Sequence, residues 1–178
     1  MPVPIETPRL LLRSWQASDR EPFARMNADP RVREFFPVLQ SRAESDASVD
    51  WLEAVMQRHG FTFFAAELRQ TREFIGFVGL GIPSFEAHFT PCVEIGWRLA
   101  PAYWNQGLAT EGARAALRFG FEDVGLEEIV AFTVPANIRS RRVMDKLGMT
   151  HDPADDFDHP RIPEGHPLRP HVLYRIRR

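Results

Sequence analysis

The chain has 178 residues, 44% of them apolar, with 22 Lys and Arg set against 24 Asp and Glu. That length fits one domain burying a full core, and a net charge of −2 excludes a whole-molecule pull towards nucleic acid or anionic membrane. Apolar runs such as Phe61 to Ala66 are too short to cross a bilayer. The opening segment lacks a basic start and long apolar core, which predicts a cytoplasmic protein. Cys92 stands alone among apolar neighbours and reads as a small hydrophobe, not a nucleophile.

In chain order, Arg9 to Trp15 is a short strand, and Ser18 or Asp19 then caps a helix carrying Phe23 and Met26. A second helix opens on Ser41, with Glu44 completing a capping box, and stops at Gly60. Its expected apolar stripe is Trp51, Leu52, Val55 and Met56. "FTFFAAEL" and "EFIGFVGLGI" make an antiparallel hairpin, and "VEIGWRL" adds a strand. A helix follows Gly107, then the strand "EIVAFTV", then a shorter helix from Asn137 to Leu147. A tail rich in Pro, Asp and His ends in a strand near Val172 to Ile176. No repeat or linker divides residues 1–178, so the expectation is a single α/β (α+β) domain. Its sheet is mostly antiparallel, flanked by helices, with one parallel strand–helix–strand crossover.

The helix after Gly107 keeps one face small near its start, through Leu108, Ala109, Gly112 and Ala113, while Glu111, Arg114 and Arg118 take the other. Small residues permit close packing on a sheet. Equally, a bare helix N-terminus behind a strand is an anion site, with free amides and a favourable dipole. The stretch lacks the Lys-Ser/Thr of a nucleoside-triphosphate loop and the three-glycine dinucleotide pattern. Any anion would be a pyrophosphate held mainly by main chain.

"VEIGWRLAPAYWNQGLATEG" and "NIRSRRVMDKLGM", together with the opening "PIETPRLLLRSW", resemble the acyl-CoA-binding core of the GNAT N-acetyltransferases of the RimJ/RimL type, over essentially the whole chain. The family's pyrophosphate loop, Q/R-x-x-G-x-G/A, falls on Trp104, Gly107 and Ala109, with tryptophan in place of Gln or Arg. The resemblance implies acetyl-CoA as co-substrate, its pyrophosphate held by the amides of Asn105, Gln106, Gly107, Leu108, Ala109 and Thr110. It further implies that strand amides around Trp97, Arg98 and Leu99 bind the pantetheine arm or polarise the carbonyl, with Gly96 leaving room for that arm.

Glu94 lies on the face of its strand opposite Ile95, Trp97 and Leu99, where a carboxylate is costly without a partner or purpose. It is either in a structural salt bridge or the base that accepts the amine proton, directly or through water. Asn137 is either a plain N-cap or, as in the family, also a cofactor contact. Many relatives carry a tyrosine as thiolate acid where this chain has Met144. That leaves Ser140, one turn away, as candidate acid and more firmly as cofactor contact. Arg139, Arg141, Arg142 and Lys146 form a basic cluster that meets the cofactor's outer phosphate or simply faces water.

His151, His159, His166 and His171 match no compact metal motif, so no metal is expected and the tail reads as a rigid border to the acceptor pocket. Phe35, Phe36 and the "FTFF" aromatics belong to that pocket or to the core. The expectation is therefore direct acetyl transfer from acetyl-CoA to a primary amine, either a protein N-terminus or a small molecule, in a ternary complex. Its rival is a non-catalytic acyl-CoA-binding domain, against which Glu94 speaks. Nucleic acid and membrane are not expected partners, and a homodimer stays open.

Overall fold

The computed structural model describes residues 4–178, so the first three residues of the segment read for a leader lie outside it. Among the described residues nine strands form the sheet. Antiparallel pairing runs from β1 (Ile5–Glu6) and β2 (Leu10–Arg13) through β3 (Phe63–Leu68) and β4 (Phe74–Gly81) to β5 (Glu94–Leu99). There the order changes: β5 meets β6 (Glu128–Thr133) in parallel, across the crossover helix α3 (Leu108–Glu122). Antiparallel pairing resumes from β6 to β9 (Pro170–Arg177), which also carries the short β7 (Thr150–His151) and β8 (Phe157–Asp158). No helix among the described residues is long and apolar enough to cross a membrane.

Two helices, α1 (Arg20–Asn27) and α2 (Arg42–His59), cover one sheet face, where Phe23 of α1 packs with Trp15, Ala65 and Phe77. Ser41 caps α2, with the Glu44 capping box in place, and Gly60 ends it at φ 77°. The buried stripe is Ser45, Val49, Leu52 and Met56, not the one expected through Trp51 and Val55. At 100° per residue Trp51 turns away from this set, and it is 46% exposed. The pattern was hidden because Ser45 looks polar, yet its Oγ accepts from Asn27 Nδ2 at 2.9 Å and is thereby satisfied inside.

On the other face α3 packs against Leu10, Val78, Leu80, Ile95 and Leu99. Its small residues serve this approach at depth: a Cβ on Gly120 would lie 2.8 Å from Ile129 Cδ1. The last helix, α4 (Ile138–Lys146), caps the β6 end, with Asn137 Oδ1 accepting from the Ser140 amide.

Arg13 is buried between Asp19, at 2.7 and 2.9 Å, and Glu67, at 2.7 Å, which ties β2 to β3 and to the entry of α1. Removing Asp19 leaves the buried guanidinium on Glu67 alone, with the two bonds of Nη1 and Nη2 to a carboxylate unmade. Asp19→Ala should therefore lower the unfolding free energy in urea by about 3 kcal/mol. A loss below about 1 kcal/mol would show that the network relaxes freely.

Candidate active site

β5 and β6 share one register position, Glu94 opposite Val130, where the Val130 amide donates to the Val93 carbonyl. Beyond it they part. Alternation along β5 fixes which groups are left over. Ala100 donates to Ile75, so Glu94, Gly96 and Arg98 turn their amides to β4, while Ile95, Trp97 and Leu99 turn theirs to β6. With β6 gone, the amides of Trp97 and Leu99 face a cleft. The Leu99 carbonyl is taken by Trp104, whose Nε1 donates to it at 2.7 Å and plugs the strand's open end.

The cleft belongs to a cavity of about 720 Å³ that reaches both sheet faces. Its α3 side is built around a tight turn. Asn105 and Gly107 have φ of 60° and 77°, and Gly107 is an N-cap without a capping side chain. Glycine stands there because the left-handed backbone requires it. The first intrahelical bond of α3 runs from the Glu111 amide to the Gly107 carbonyl, which leaves the amides of Leu108, Ala109 and Thr110 for a ligand.

From behind, Arg9 braces the turn. Its Nη1 donates to the Gln106 carbonyl at 2.9 Å, and its Nε to Glu111 at 2.6 Å. Glu111 also accepts from the Thr7 hydroxyl and the Arg9 amide, at 2.6 and 2.8 Å. Burial opposes it, but these bonds hold the Glu111 carboxyl below its ordinary range. Partners so far apart in sequence left no local signal.

Glu94 lines the cavity from the α1–α2 face, where no ion pair or hydrogen bond is made to its carboxyl by the described residues. The structural salt bridge considered from sequence does not form. Burial alone pushes its pKa up to about 8. Phe63, Phe85, Phe132, His159 and His171 line the same cavity. Burial likewise lowers both imidazoles, His159 to about 4, so this wall is uncharged at neutral pH. Cys92 is inert, its thiol raised by burial to about 11.

Trp97, Leu99, Asn105, Gly107, Leu108, Ala109, Thr110, Asn137, Ser140 and Arg142 all line this one cavity. Gln106 does not: its side chain turns back to the Ala102 carbonyl. Arg98 lines it through its side chain, since its amide points to β4. Gly96 also lines the cavity, and on its α1–α2 face lies the Phe63 ring, 2.9 Å from where a Cβ would sit. Ser140 Oγ accepts from Trp97 Nε1 at 3.1 Å and so keeps its own proton to donate. Asn137 is the N-cap, with Nδ2 on Thr133 Oγ1. In the basic cluster, Arg139 pairs with Glu34 and stacks 4.4 Å over Trp104, and Arg141 reaches Tyr174. Arg142 and Lys146 face the cavity. The aromatics Phe35, Phe36 and Phe63 line it, as do His159 and His171 of the tail.

Residues 9–150 match the family model described as an acetyltransferase (GNAT) domain. The chain is 32% identical to an uncharacterised N-acetyltransferase, YnaD of Bacillus subtilis strain 168, over 97% of its own length and 95% of that protein. A GNAT-family acetyltransferase of Bacillus anthracis superposes with TM-score 0.80 at 27% identity, over 98% of each chain. RimJ of Mycobacterium smegmatis, solved with a CoA-disulfide, has the same fold, with TM-score 0.73 at 22% identity over 94% of this chain and 81% of that one.

Glu94 binds a proton in the folded protein between its ordinary 4.5 and about 8, while the unfolded chain does not, so stability falls as pH rises through that window. Glu94→Gln is neutral throughout. It should melt with the wild type at pH 4 and above it at pH 9, and an equal difference at both would show a solvated carboxylate. The brace is tested by Arg9→Ala, which should raise exchange of the Glu111 amide, whose bond to the Gly107 carbonyl opens α3, about tenfold while β3 and β4 keep their protection. Unchanged exchange there would mean that the turn holds itself.

Proposed function

This chain belongs to the GNAT acetyltransferase family and is an acetyl-CoA-dependent N-acetyltransferase. On that premise we propose that it moves the acetyl group directly to a primary amine within the cleft between β5 and β6. The observation that carries this reading is the presence, in one cavity, of main-chain amides without partners and a carboxyl without an ion pair. We take the whole chain to act as one such domain.

The amides of Leu108, Ala109 and Thr110, with the dipole of α3 behind them, suit the pyrophosphate, and Arg142 and Lys146 add positive charge beside it. The Trp97 and Leu99 amides suit the pantetheine arm and the thioester oxygen, where they would stabilise developing negative charge. The acceptor then enters from the α1–α2 side, where Glu94 lies. The amine nitrogen bonds to the thioester carbon, the carbon–sulfur bond breaks, and the amine proton passes to Glu94. The departing thiolate meets the Ser140 hydroxyl, whose lone pair is engaged by Trp97 and whose proton is free.

A base with a pKa of about 8 predicts that kcat/KM rises with pH and levels above about 8. Glu94→Gln should lower it by ~100-fold and remove that limb, with acetyl-CoA affinity unchanged. A variant with the wild-type rate and limb would return the limb to the amine's own ionisation. Ser140→Ala should raise the KM for acetyl-CoA several-fold, with the rate restored at saturation. A lasting kcat defect at unaltered affinity would make Ser140 the acid instead.

A further inference from the structure

Arginines withdrawn from water in this fold sit on carboxylates: Arg13 on Asp19 and Glu67, Arg175 on Asp155 and Glu128. Arg33 and Arg98 do not. Arg33, 8% exposed, donates Nε and Nη2 to the Val38 carbonyl at 3.0 and 2.8 Å. Arg98 donates Nη1 to Asn27 Oδ1 at 2.9 Å, and its buried Nε has no partner. Both guanidinium carbons lie 4.3 Å from the centre of the Phe36 ring, and that of Arg98 lies 5.1 Å from Phe77. Burial lowers both, Arg98 to about 9. Two cations thus share one aromatic ring with no ion pair to a carboxylate of the described residues. Ring faces replace part of the lost hydration but cancel no charge.

Arg98 and Phe36 line the same cavity as Glu94. Glu94 and Arg98 lie on one face of β5, four residues and so ~13 Å apart along the strand. We propose that Arg98, backed by Arg33 across Phe36, receives a carboxylate of the acceptor, and that the acceptor is an acidic amine of peptide length whose nitrogen reaches Glu94. A free α-amino acid carries both groups on one carbon and cannot span the two. The inference rests on the acetyl-transfer reading for the amine end. The same carboxylate chemistry could arrive on the acyl chain of the donor, so the test separates the two.

Arg98 also holds the end of α1 through Asn27, so the variants must divide charge from support. The protein saturated with CoA is titrated calorimetrically with the peptide amides Ala-Phe-Glu-NH2 and Ala-Phe-Gln-NH2. The acidic peptide should bind at least ~10-fold more tightly. That preference should vanish in Arg98→Met, persist in part in Arg98→Lys, and survive Asn27→Ala, which breaks the support but keeps the charge. Equal binding of the pair, no peptide binding at all, or the same loss in Asn27→Ala as in Arg98→Met overturns the proposal. In a second arm the free protein is titrated with acetyl-CoA and succinyl-CoA, and equal affinities are expected. A succinyl preference abolished by Arg98→Met would move the carboxylate to the donor and overturn its assignment to the acceptor. Failure of the wild type to bind acetyl-CoA would instead remove the acetyl-transfer reading itself.

Discussion

Everything in the site depends on β5 and β6 parting after a single shared register position. Each strand is fully paired on its outer side, β5 with β4 over six positions and β6 with β9 over six. Only the inner edges open. A parallel ladder left unmade exposes main-chain donors that water or a ligand must satisfy. Trp104 prevents the gap from closing by taking the Leu99 carbonyl, and the Trp97 indole spans to Ser140 on α4. The cleft is thus held open by side chains from the elements that flank it.

The groups that do chemistry are the ones the fold leaves unsatisfied. Amides of Trp97, Leu99 and the first turn of α3, the Glu94 carboxyl and the Arg98 guanidinium all lie in one cavity. Each costs stability, which the three apolar clusters of the described residues offset. Precision at the turn comes from the Thr7–Arg9–Glu111 brace, which joins the chain's first strands to the first turn of α3. A site built on strands and a braced helix end is preorganised, as electrostatic stabilisation of a developing charge requires.

Local chemistry was legible in the sequence. The Ser41 and Glu44 box, the Gly60 stop, the Asn137 cap and the bare start after Gly107 all act over a few residues, and each lies where its pattern put it. Pairings distant in sequence were not legible. The ring of Phe63 above Gly96 comes from two strands away, and the bond that Asn27 donates to Ser45 turned a polar residue into a core position. Trp51 was misplaced for that reason, one stripe having been read for another. The direction of the Arg98 amide follows from register, which a single strand's alternation cannot fix without its neighbours, and the outward turn of Gln106 follows from its bond to the Ala102 carbonyl.

The central claim is that the leftover amides are the cofactor's seat. Titrating 15N-labelled protein with CoA and following each amide by NMR tests it most directly. The account predicts the largest shifts at Trp97, Leu99 and residues 107–110, saturating together, with β1 to β3 little changed. Saturable CoA binding that leaves those amides unmoved and shifts another surface would contradict it.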